Sequence, residues 1–389
     1  MSDTEENQVK LLKDSNFHQQ NLPSWNPVIL ISTIYPLFGS FGIVFILIGI
    51  GLLLSSISVN EFQYDYTHCK EYDKLNNNYS NRICSGILNS NYTNNYQSCL
   101  CNIKFRLDKQ FSGQVYFYYS LQNFFQNHRR YFSSKDDKQL MGKSIQSASD
   151  YCKPFDKLSN GSFLQNYAPC GLIANSLFND TFQLSFINST NSIPVSMKKK
   201  GIAWKVDVDL LYGTPTDWAN TLKPTNWKYS AEERSNSSYK GDEDLLVWMR
   251  TAPLSTFKKL SGIIKHESPF QNGLPAGNYE LLINYAYPVS IFGGTKMVFL
   301  TTTSAMGGKN NNLGIMYITL GTIHELIALV FLVFTLFRQK KKGSYSIEMI
   351  KRPMKTSFSD TPLIMSPLTP ESYGLKEIPF QREDNPKMR

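Results

Sequence analysis

Near its N-terminus the chain runs from Ser15 to Asn60 without a single Asp, Glu, Lys or Arg. Within this segment, residues 35–58 are nearly all apolar, with glycine interspersed. At about 1.5 Å of rise per residue, a helix of that length crosses the roughly 30 Å hydrocarbon layer of a membrane. The segment therefore predicts a transmembrane helix, and it is longer than the apolar part of a cleaved signal peptide, which is about 7 to 15 residues.

A second apolar segment, residues 313–337, is interrupted only by the adjacent pair His324 and Glu325. It predicts a second transmembrane helix. The whole chain of 389 residues is 41% hydrophobic, so its average composition conceals both segments. We therefore expect an integral membrane protein with two spans.

Basic residues set the expected orientation of the two spans. The cluster RQKKK at 338–342 directly follows the second span, and Lys and Arg close to a span are retained in the cytosol. Both termini are then cytosolic, as a tail of residues 1–34 and a basic tail of residues 338–389 that is predicted to be disordered. The region between the spans, residues 59–312, is expected to be lumenal or extracellular.

Cysteines and glycosylation sequons agree with this orientation because all of them lie between the two spans. The cysteines, which an oxidising lumen would convert to disulfides, are Cys69, Cys84, Cys99, Cys101, Cys152 and Cys170. The sequons begin at Asn78, Asn91, Asn160, Asn179, Asn188 and Asn236. Cysteine spacing alone leaves many pairings open.

The outer region has the sequence pattern of a β-rich domain. In IAWKVDVDL, residues 202–210, apolar and polar side chains alternate with the period of a half-buried strand. Other predicted strands are at 114–121, 278–289 and 296–304. Predicted helices are at 170–180 and 243–251, and the Asn-rich segments 76–95 and 186–192 are predicted loops. Together these segments predict one antiparallel sandwich.

Catalytic motifs are incomplete in this chain. The zinc-protease motif H-E-x-x-H needs a second histidine, and Ala328 stands in its place after His324 and Glu325. The sequence DKTG, which carries the phosphorylated aspartate of P-type pumps, does not occur. We therefore expect no enzyme activity and no cofactor or metal, with membrane lipids and a protein as partners rather than nucleic acid. A glycosidase, which needs two carboxylates across a cleft, stays open as an alternative.

Small residues recur every seven positions in both predicted spans. In the first span they are Gly42, Gly49 and Ser56, and in the second they are Gly314, Gly321 and Ala328. Such stripes let helices in lipid approach closely, and we expect Gly42, Gly49, Gly314 and Gly321 to lie at a partner interface. Chance is the alternative, because glycine is common in membrane spans.

The pair His324 and Glu325 lies near the middle of the second span. Adjacent helical residues point about 100° apart, so the two side chains do not neutralise each other well. A charge at this depth costs about 2.5 kcal/mol or more, which predicts a partner in another membrane protein. The alternative is a neutral Glu325 bonded to Thr322, with His324 turned toward headgroups or water.

Several long strings of the sequence carry a resemblance to a known family. They are FHQQNLPSWNP (17–27), FYYSLQNFFQNHRRYFSSKDDKQLMG (117–142), APCGLIANSLFNDTF (168–182), GIAWKVD (201–207), VWMRTAPLSTFKKLSG (247–262), LPAGNYELLINYAYPV (274–289) and SAMGGKNNNLGIMYI (304–318). Over roughly residues 17–335 the chain resembles the ligand-effect modulator or cell-division-control family, which supplies accessory subunits to type IV P-type ATPases.

The resemblance implies a non-catalytic β subunit and chaperone of a phospholipid flippase, needed for export of the pump from the endoplasmic reticulum and for aminophospholipid translocation. It implies passage from there to the Golgi, endosomes or plasma membrane. By position it implies the disulfides Cys69–Cys101, Cys84–Cys99 and Cys152–Cys170, and it makes Asn179 the shared glycosylation site. The alternative is a trimeric ligand-gated channel with two spans, in which Glu325 would line a pore.

Overall fold

The structure, a computed structural model, describes residues 31–90, 98–143, 148–160, 163–188 and 191–351. Most of both predicted tails, residues 1–30 and 352–389, lies outside the described residues. The α-helices are α1 Ile31–Ile57, α2 Cys84–Ser90, α3 Arg129–Phe132, α4 Asp137–Leu140, α5 Leu172–Asn175, α6 Ala231–Arg234, α7 Glu243–Met249 and α8 Asn311–Lys351.

Helices α1 and α8 each contain a segment long and apolar enough to cross a membrane, Thr33–Ile57 and Asn311–Lys340. Both helices extend beyond the predicted spans. Helix α1 already includes residues 31–34, and α8 continues past 337 into the basic segment predicted to be disordered. Lys, Arg and Gln are good helix formers, so the last apolar residue does not end the helix. A second compact unit begins at Val330 and contains this continuation of α8.

Between the two long helices the chain is mostly β-structure. The strands are β1 Glu61–Asp65, β2 Lys70–Asp73, β3 Asn78–Ile83, β4 Cys99–Leu107, β5 Phe111–Ser112, β6 Tyr116–Gln122, β7 Lys157–Asn160, β8 Phe163–Tyr167, β9 Thr181–Asn188, β10 Asn191–Val195, β11 Met197–Lys198, β12 Thr221–Leu222, β13 Phe257–Ile264, β14 Gly273–Leu274, β15 Gly277–Tyr285 and β16 Thr295–Thr301. A five-stranded sheet has the order β1-β16-β6-β13-β11, and a six-stranded sheet has the order β10-β9-β15-β4-β2-β3. Both sheets are antiparallel throughout.

The two large sheets share one apolar core, as in a β-sandwich. Phe117 and Val298 from the five-stranded sheet pack in the same cluster as Leu184, Leu281 and Ile283 from the six-stranded sheet. Each of these side chains is at most 2% exposed. The antiparallel sandwich expected from the sequence is therefore confirmed.

A second core continues along the same face of β6. Tyr119 and Leu121 alternate with the strand period after Phe117 and pack against short helices instead of the opposite sheet. Trp248 of α7 is fully buried there, and its indole N–H donates to the carbonyl of Ile173 on α5 at 2.9 Å. Strand β6 thus contributes side chains to both the sandwich core and the helical cap.

The predicted strand over 202–210 is wrong. The chain is helical at 205–206 and forms a π-helical turn over Asp207–Leu211. Trp204 and Val206, which the alternation would bury, are 65% and 56% exposed. A side chain distant in sequence, described below, binds the backbone N–H groups of Ile202 and Ala203 at the start of this segment.

The other predicted segments coincide in part with observed elements. The three other predicted strands fall on β6, β15 and β16, and the helix predicted at 243–251 falls on α7. Only four residues of the helix predicted at 170–180 are helical, as α5. The predicted loop at 76–95 is wrong over β3 and α2, and the one at 186–192 is wrong at the ends of β9 and β10.

Candidate partner interface in the membrane helices and its stapled outer domain

Large apolar side chains cover the outer surfaces of α1 and α8. Leu47 and Leu54 on α1 are each 64% exposed, and Leu326 on α8 is 62% exposed. In water, so large an apolar surface would favour aggregation, whereas hydrocarbon chains solvate it at no cost. The two helices therefore have the surfaces of membrane spans.

The small residues of the two stripes face one another across the helix pair. A Cβ atom on Gly314 would lie 3.0 Å from the carbonyl oxygen of Gly49, and one on Gly321 would lie 2.8 Å from that of Gly42. Ala328 packs beside Gly39 at the same contact. The stripes thus bring the backbones of α1 and α8 together within this chain.

Hydrogen bonds join the helix pair where it meets the outer domain. The hydroxyl of Ser56, only 5% exposed, donates to Oδ1 of Asn311 at 2.6 Å and accepts from the N–H of Asn310 at 2.8 Å. Ser55 donates to the hydroxyl of Ser304 at 3.0 Å. The end of α1 and the start of α8 are therefore held to each other directly.

His324 lies against α1 instead of turning toward headgroups or water. Its ring stacks on Phe38 with centroids 5.5 Å apart and meets the edge of Phe45 at 5.4 Å. Its Nδ1 is 2.8 Å from the carbonyl oxygen of Leu320, which only accepts, so Nδ1 carries a proton. The ring therefore uses one of its polar atoms within its own helix.

Glu325 reaches α1 at the notch left by two glycines. A Cβ on Gly42 would lie 2.5 Å from Oε1 of Glu325, and one on Gly39 would lie 3.9 Å from Oε2. Oε1 is buried and has no hydrogen-bond partner among the described residues. Thr322 donates its hydroxyl to the carbonyl of Thr319 and not to this carboxyl group. The carboxyl oxygen thus lies in the helix pair with an unmet capacity to accept a hydrogen bond.

Three disulfides staple the outer domain. They join Cys69 to Cys101, Cys84 to Cys99 and Cys152 to Cys170, which are the pairs implied by the resemblance. Cys99 and Cys101 are two residues apart on β4 and bond to different partners. In the chain-entropy model, a disulfide that closes a loop of this length stabilises the folded chain by about 3 kcal/mol. Disulfides that close nested loops stabilise it by less than the sum of their separate contributions.

A buried ion pair that the sequence analysis missed ties the two sheets together. Nζ of Lys296, on β16, is 2.6 Å from Oδ2 of Asp180, just before β9, and both side chains are fully buried. Asp180 also accepts from the hydroxyl of Tyr66 at 2.9 Å and from the N–H groups of Ala286 and Tyr287 at 2.6 and 2.7 Å. Burial lowers the pKa of Lys296 to about 8, and the charge of Asp180 opposes this decrease.

The sequence contains a signal for this pair. Lys296 precedes Val298 and Leu300 on the inward positions of β16, so a lysine occupies a place where alternation demands an apolar side chain. A charge at such a position requires an opposite charge in the core.

Glu243 anchors the segment that was wrongly predicted to be a strand. Its buried carboxylate accepts from the N–H groups of Gly201, Ile202 and Ala203 at 3.0, 2.8 and 2.9 Å. Nearby, the ammonium group of Lys259 donates to the carbonyls of Val247, Trp248 and Arg250 at the end of α7. Both contacts satisfy backbone groups that would otherwise be buried without partners.

The predicted glycosylation sequons occupy different environments. Asn78, Asn188 and Asn236 are exposed, and Asn179 is half-buried. Asn160 belongs to β7, and Asn91 lies outside the described residues. Within the described ranges, no three His, Cys, Asp or Glu side chains are grouped to hold a metal ion.

Two apolar helices packed through glycine and a stapled β-sandwich between them define an integral membrane protein with a large extramembrane domain. The sequence over residues 52–341 matches the LEM3 (ligand-effect modulator 3) family / CDC50 family. The match includes the last six residues of α1, the whole outer domain and the apolar part of α8. The chain belongs to this family.

Curated relatives from animals and plants share most of their length with the chain. It is 40% identical to mouse (Mus musculus) Cell cycle control protein 50A over 334 residues, which are 82% of this chain and 87% of the relative. It is 38% identical to human (Homo sapiens) Cell cycle control protein 50B over 332 residues, an alignment that covers 82% of this chain and 91% of the relative. It is 35% identical to ALA-interacting subunit 3 of Arabidopsis thaliana over 336 residues, an alignment that covers 86% of this chain and 89% of the relative.

Proposed function

We propose that this chain is the non-catalytic accessory subunit and chaperone of a phospholipid-translocating type IV P-type ATPase. The observation that carries the proposal is the family match, which runs from the last residues of α1 through the outer domain and the apolar part of α8. The Arabidopsis thaliana relative, aligned over 86% of this chain, is named ALA-interacting subunit 3. In this role the chain is required for export of the pump from the endoplasmic reticulum and for aminophospholipid translocation.

The proposed topology places both termini in the cytosol and residues 59–312 in the lumen or outside the cell. The basic cluster after the second span, together with cysteines and sequons confined to the region between the spans, supports this orientation. The complex then moves from the endoplasmic reticulum to the Golgi, endosomes or plasma membrane.

Within the membrane, we propose that the pump contacts the helix pair at Glu325. The geometry behind this proposal is a carboxyl oxygen that is buried beside Gly42 without a hydrogen-bond partner in the described chain. A polar group without a hydrogen-bond partner costs several kcal/mol in the hydrocarbon layer. An ionised carboxylate at the centre of a membrane helix carries a penalty of similar size, about 2.5 to 3.5 kcal/mol. If Glu325 turns out of the notch toward a hydrogen-bond donor on a pump helix, this cost is removed only in the complex, which makes association favourable.

The chain acts in this proposal by binding and performs no chemical step. If it binds some pump conformations more tightly than others, it shifts the pump toward those conformations by the difference in binding free energy. Its disulfides and buried ion pair keep the outer domain rigid, so little conformational entropy is lost on association.

Co-expression with a type IV P-type ATPase tests the proposal. The chain is purified through a tag in mild detergent, the co-purified protein is identified by mass spectrometry, and its lipid-stimulated ATPase activity and exit from the endoplasmic reticulum are measured. We expect a one-to-one complex, and a pump retained in the endoplasmic reticulum when the chain is omitted. Normal export and activity without the chain would contradict the proposal, and a symmetric trimer of this chain alone would indicate a channel.

Substitutions at Glu325 test the intramembrane contact separately. Glu325→Leu is expected to lower the recovered pump at least tenfold, equivalent to about 1.4 kcal/mol. Glu325→Gln, which still accepts a hydrogen bond, should retain more of the complex. Thr322→Leu is the matched control, because that exposed hydroxyl already bonds to its own helix. Equal recovery for Glu325→Leu and Thr322→Leu would rule out the contact and leave the general role standing.

A further inference from the structure

A cleft of about 640 Å³ opens beside β9 in the outer domain. Its walls include Asn179 and Thr181, the first and third residues of one sequon, and the segment around Tyr229. The volume lies within the range of about 300 to 1,000 Å³ that is usual for sites binding small ligands. A modification that begins on Asn179 therefore begins inside a cavity.

The position of Asn179 is determined by the core beneath it. Asp180, the next residue, is held by the buried ammonium group of Lys296 and by two backbone N–H groups. Asn179 itself is half-buried, and its Oδ1 is buried without a hydrogen-bond partner among the described residues. The exposed Asn78 and Asn236, by contrast, would direct a sugar into bulk solvent.

The lining of the cleft combines aromatic rings with neutral polar groups. Tyr229 is 51% exposed, although Tyr119 and Trp227 in the same walls are buried. Gln183 and Ser185 follow Thr181 along β9 at the strand period, so all three lie on one face of the sheet. A ligand with apolar ring faces and many hydroxyl groups matches such a surface.

The charges at the cleft favour a neutral ligand over an anion. Lys199 pairs with Asp244 at 3.1 Å, and Arg234 pairs with Asp242 through two contacts of 2.6 and 3.1 Å. Two of the three lining cations are thus neutralised, and the third, Lys228, lies 5.1 Å from the ring centroid of Tyr229. A phosphate or an anionic headgroup would have to displace a carboxylate to bind Lys199 or Arg234.

We propose that this cleft is a carbohydrate site occupied by the chain's own N-glycan, linked to Asn179, whose inner N-acetylglucosamine residues lie along Tyr229 and the outward face of β9. The proposal rests on the lumenal placement in the proposed function, since glycosylation requires it. The covalent link supplies an effective concentration of the order of millimolar, so weak ring contacts suffice to hold the sugar.

Site-resolved deglycosylation of the folded chain tests this proposal. The full chain is produced in a glycosylating eukaryotic cell, kept in mild detergent and treated with a peptide N-glycosidase, and release at each sequon is followed by mass spectrometry. We expect release at Asn179 to be roughly tenfold slower than at Asn78 or Asn236, with equal rates after denaturation. Tyr229→Ala should bring the rate at Asn179 close to the rates at the exposed sites.

Tyr151→Ala is the matched control, because Tyr151 is 72% exposed and lies outside the cleft. It should leave the rate at Asn179 unchanged, and both variants should keep the melting temperature of the parent chain. Equal release at Asn179 and Asn236 in the folded parent, or no effect of Tyr229→Ala, would overturn the proposal. Sugar at the exposed sequons but not at Asn179 would overturn it too. Absence of sugar at every sequon would overturn the lumenal placement together with it.

Discussion

Replacement of Lys296 by Met tests whether the buried ion pair holds the two sheets together. Met retains most of the apolar volume of the lysine stem but removes the ammonium group that donates to Asp180 at 2.6 Å and to the carbonyl of Tyr287 at 2.7 Å. Asp180 is then left as a fully buried carboxylate without a counter-charge. Breaking such a pair from one side costs about 3 to 5 kcal/mol, a large part of a total stability of about 5 to 15 kcal/mol.

The hydrogen bonds of Asp180 predict which second substitution compensates. Its Oδ1 accepts from the N–H groups of Ala286 and Tyr287, and its Oδ2 accepts from Tyr66 and Lys296. In Asp180→Asn the carbonyl oxygen can keep both backbone bonds, and the amide nitrogen can donate to the oxygen of Tyr66. Asp180→Asn should therefore destabilise the parent chain yet restore about 1 to 3 kcal/mol to the Lys296→Met variant.

Denaturant unfolding of the full chain in detergent, followed by tryptophan fluorescence, measures these free energies. The sequon at Asn179 remains intact because its middle residue tolerates Asn. Lys240→Met is the control, since Lys240 forms a half-exposed pair with Asp209 at 3.5 Å and should change the stability by less than about 1 kcal/mol. A Lys296→Met variant as stable as this control, or a double variant no more stable than Lys296→Met, would refute the reasoning.

Three further predictions concern the helix pair and the helical cap. Gly321→Leu should separate α1 from α8 and lower the yield of folded chain, because even its Cβ would lie 2.8 Å from the carbonyl oxygen of Gly42. Gly51→Leu should be tolerated, because no atom lies within 4 Å of the position of its Cβ. The yield of detergent-stable chain in size-exclusion chromatography measures both effects. Glu243→Ala should cost about 2 to 4 kcal/mol in denaturant unfolding by leaving three N–H groups without an acceptor. Burial, with the charge of Arg250, lowers the pKa of Lys259 to about 7. Between about pH 7 and 10.5, Lys259 is therefore protonated in the unfolded chain and neutral in the folded chain. Its contribution to stability rises with pH across that window by about 1.4 kcal/mol per unit, and Lys259→Met should remove this contribution.

Each of these predictions has a clear contrary result. Similar yields for the Gly321 and Gly51 variants would show that the close approach of the helices is not needed. A Glu243→Ala variant with parental stability would mean that water replaces the carboxylate. Parallel stability curves for the parent chain and Lys259→Met between pH 7 and 9 would mean that Lys259 stays protonated when folded.

Prediction from sequence succeeded where a structural feature depends on neighbouring residues. The length of an uncharged apolar segment determines whether a helix can span a membrane, and the strands predicted at 278–289 and 296–304 fall on β15 and β16. It failed at 202–210, where the alternation was genuine but the N–H groups of Ile202 and Ala203, at the start of the segment, bond to Glu243, about forty residues away. A periodic pattern describes side chains and carries no information about a distant acceptor.

The sequence by itself determined that this chain has two apolar helices and a β-domain with six cysteines between them, because these properties depend on segment length, period and composition. Tertiary structure alone decided that the two glycine stripes contact each other, that the carboxyl group of Glu325 lies in the notch at Gly42, and that Asp180 forms an ion pair with Lys296. These contacts join residues more than a hundred positions apart, and their energies depend on distances of a few ångströms that no local pattern encodes.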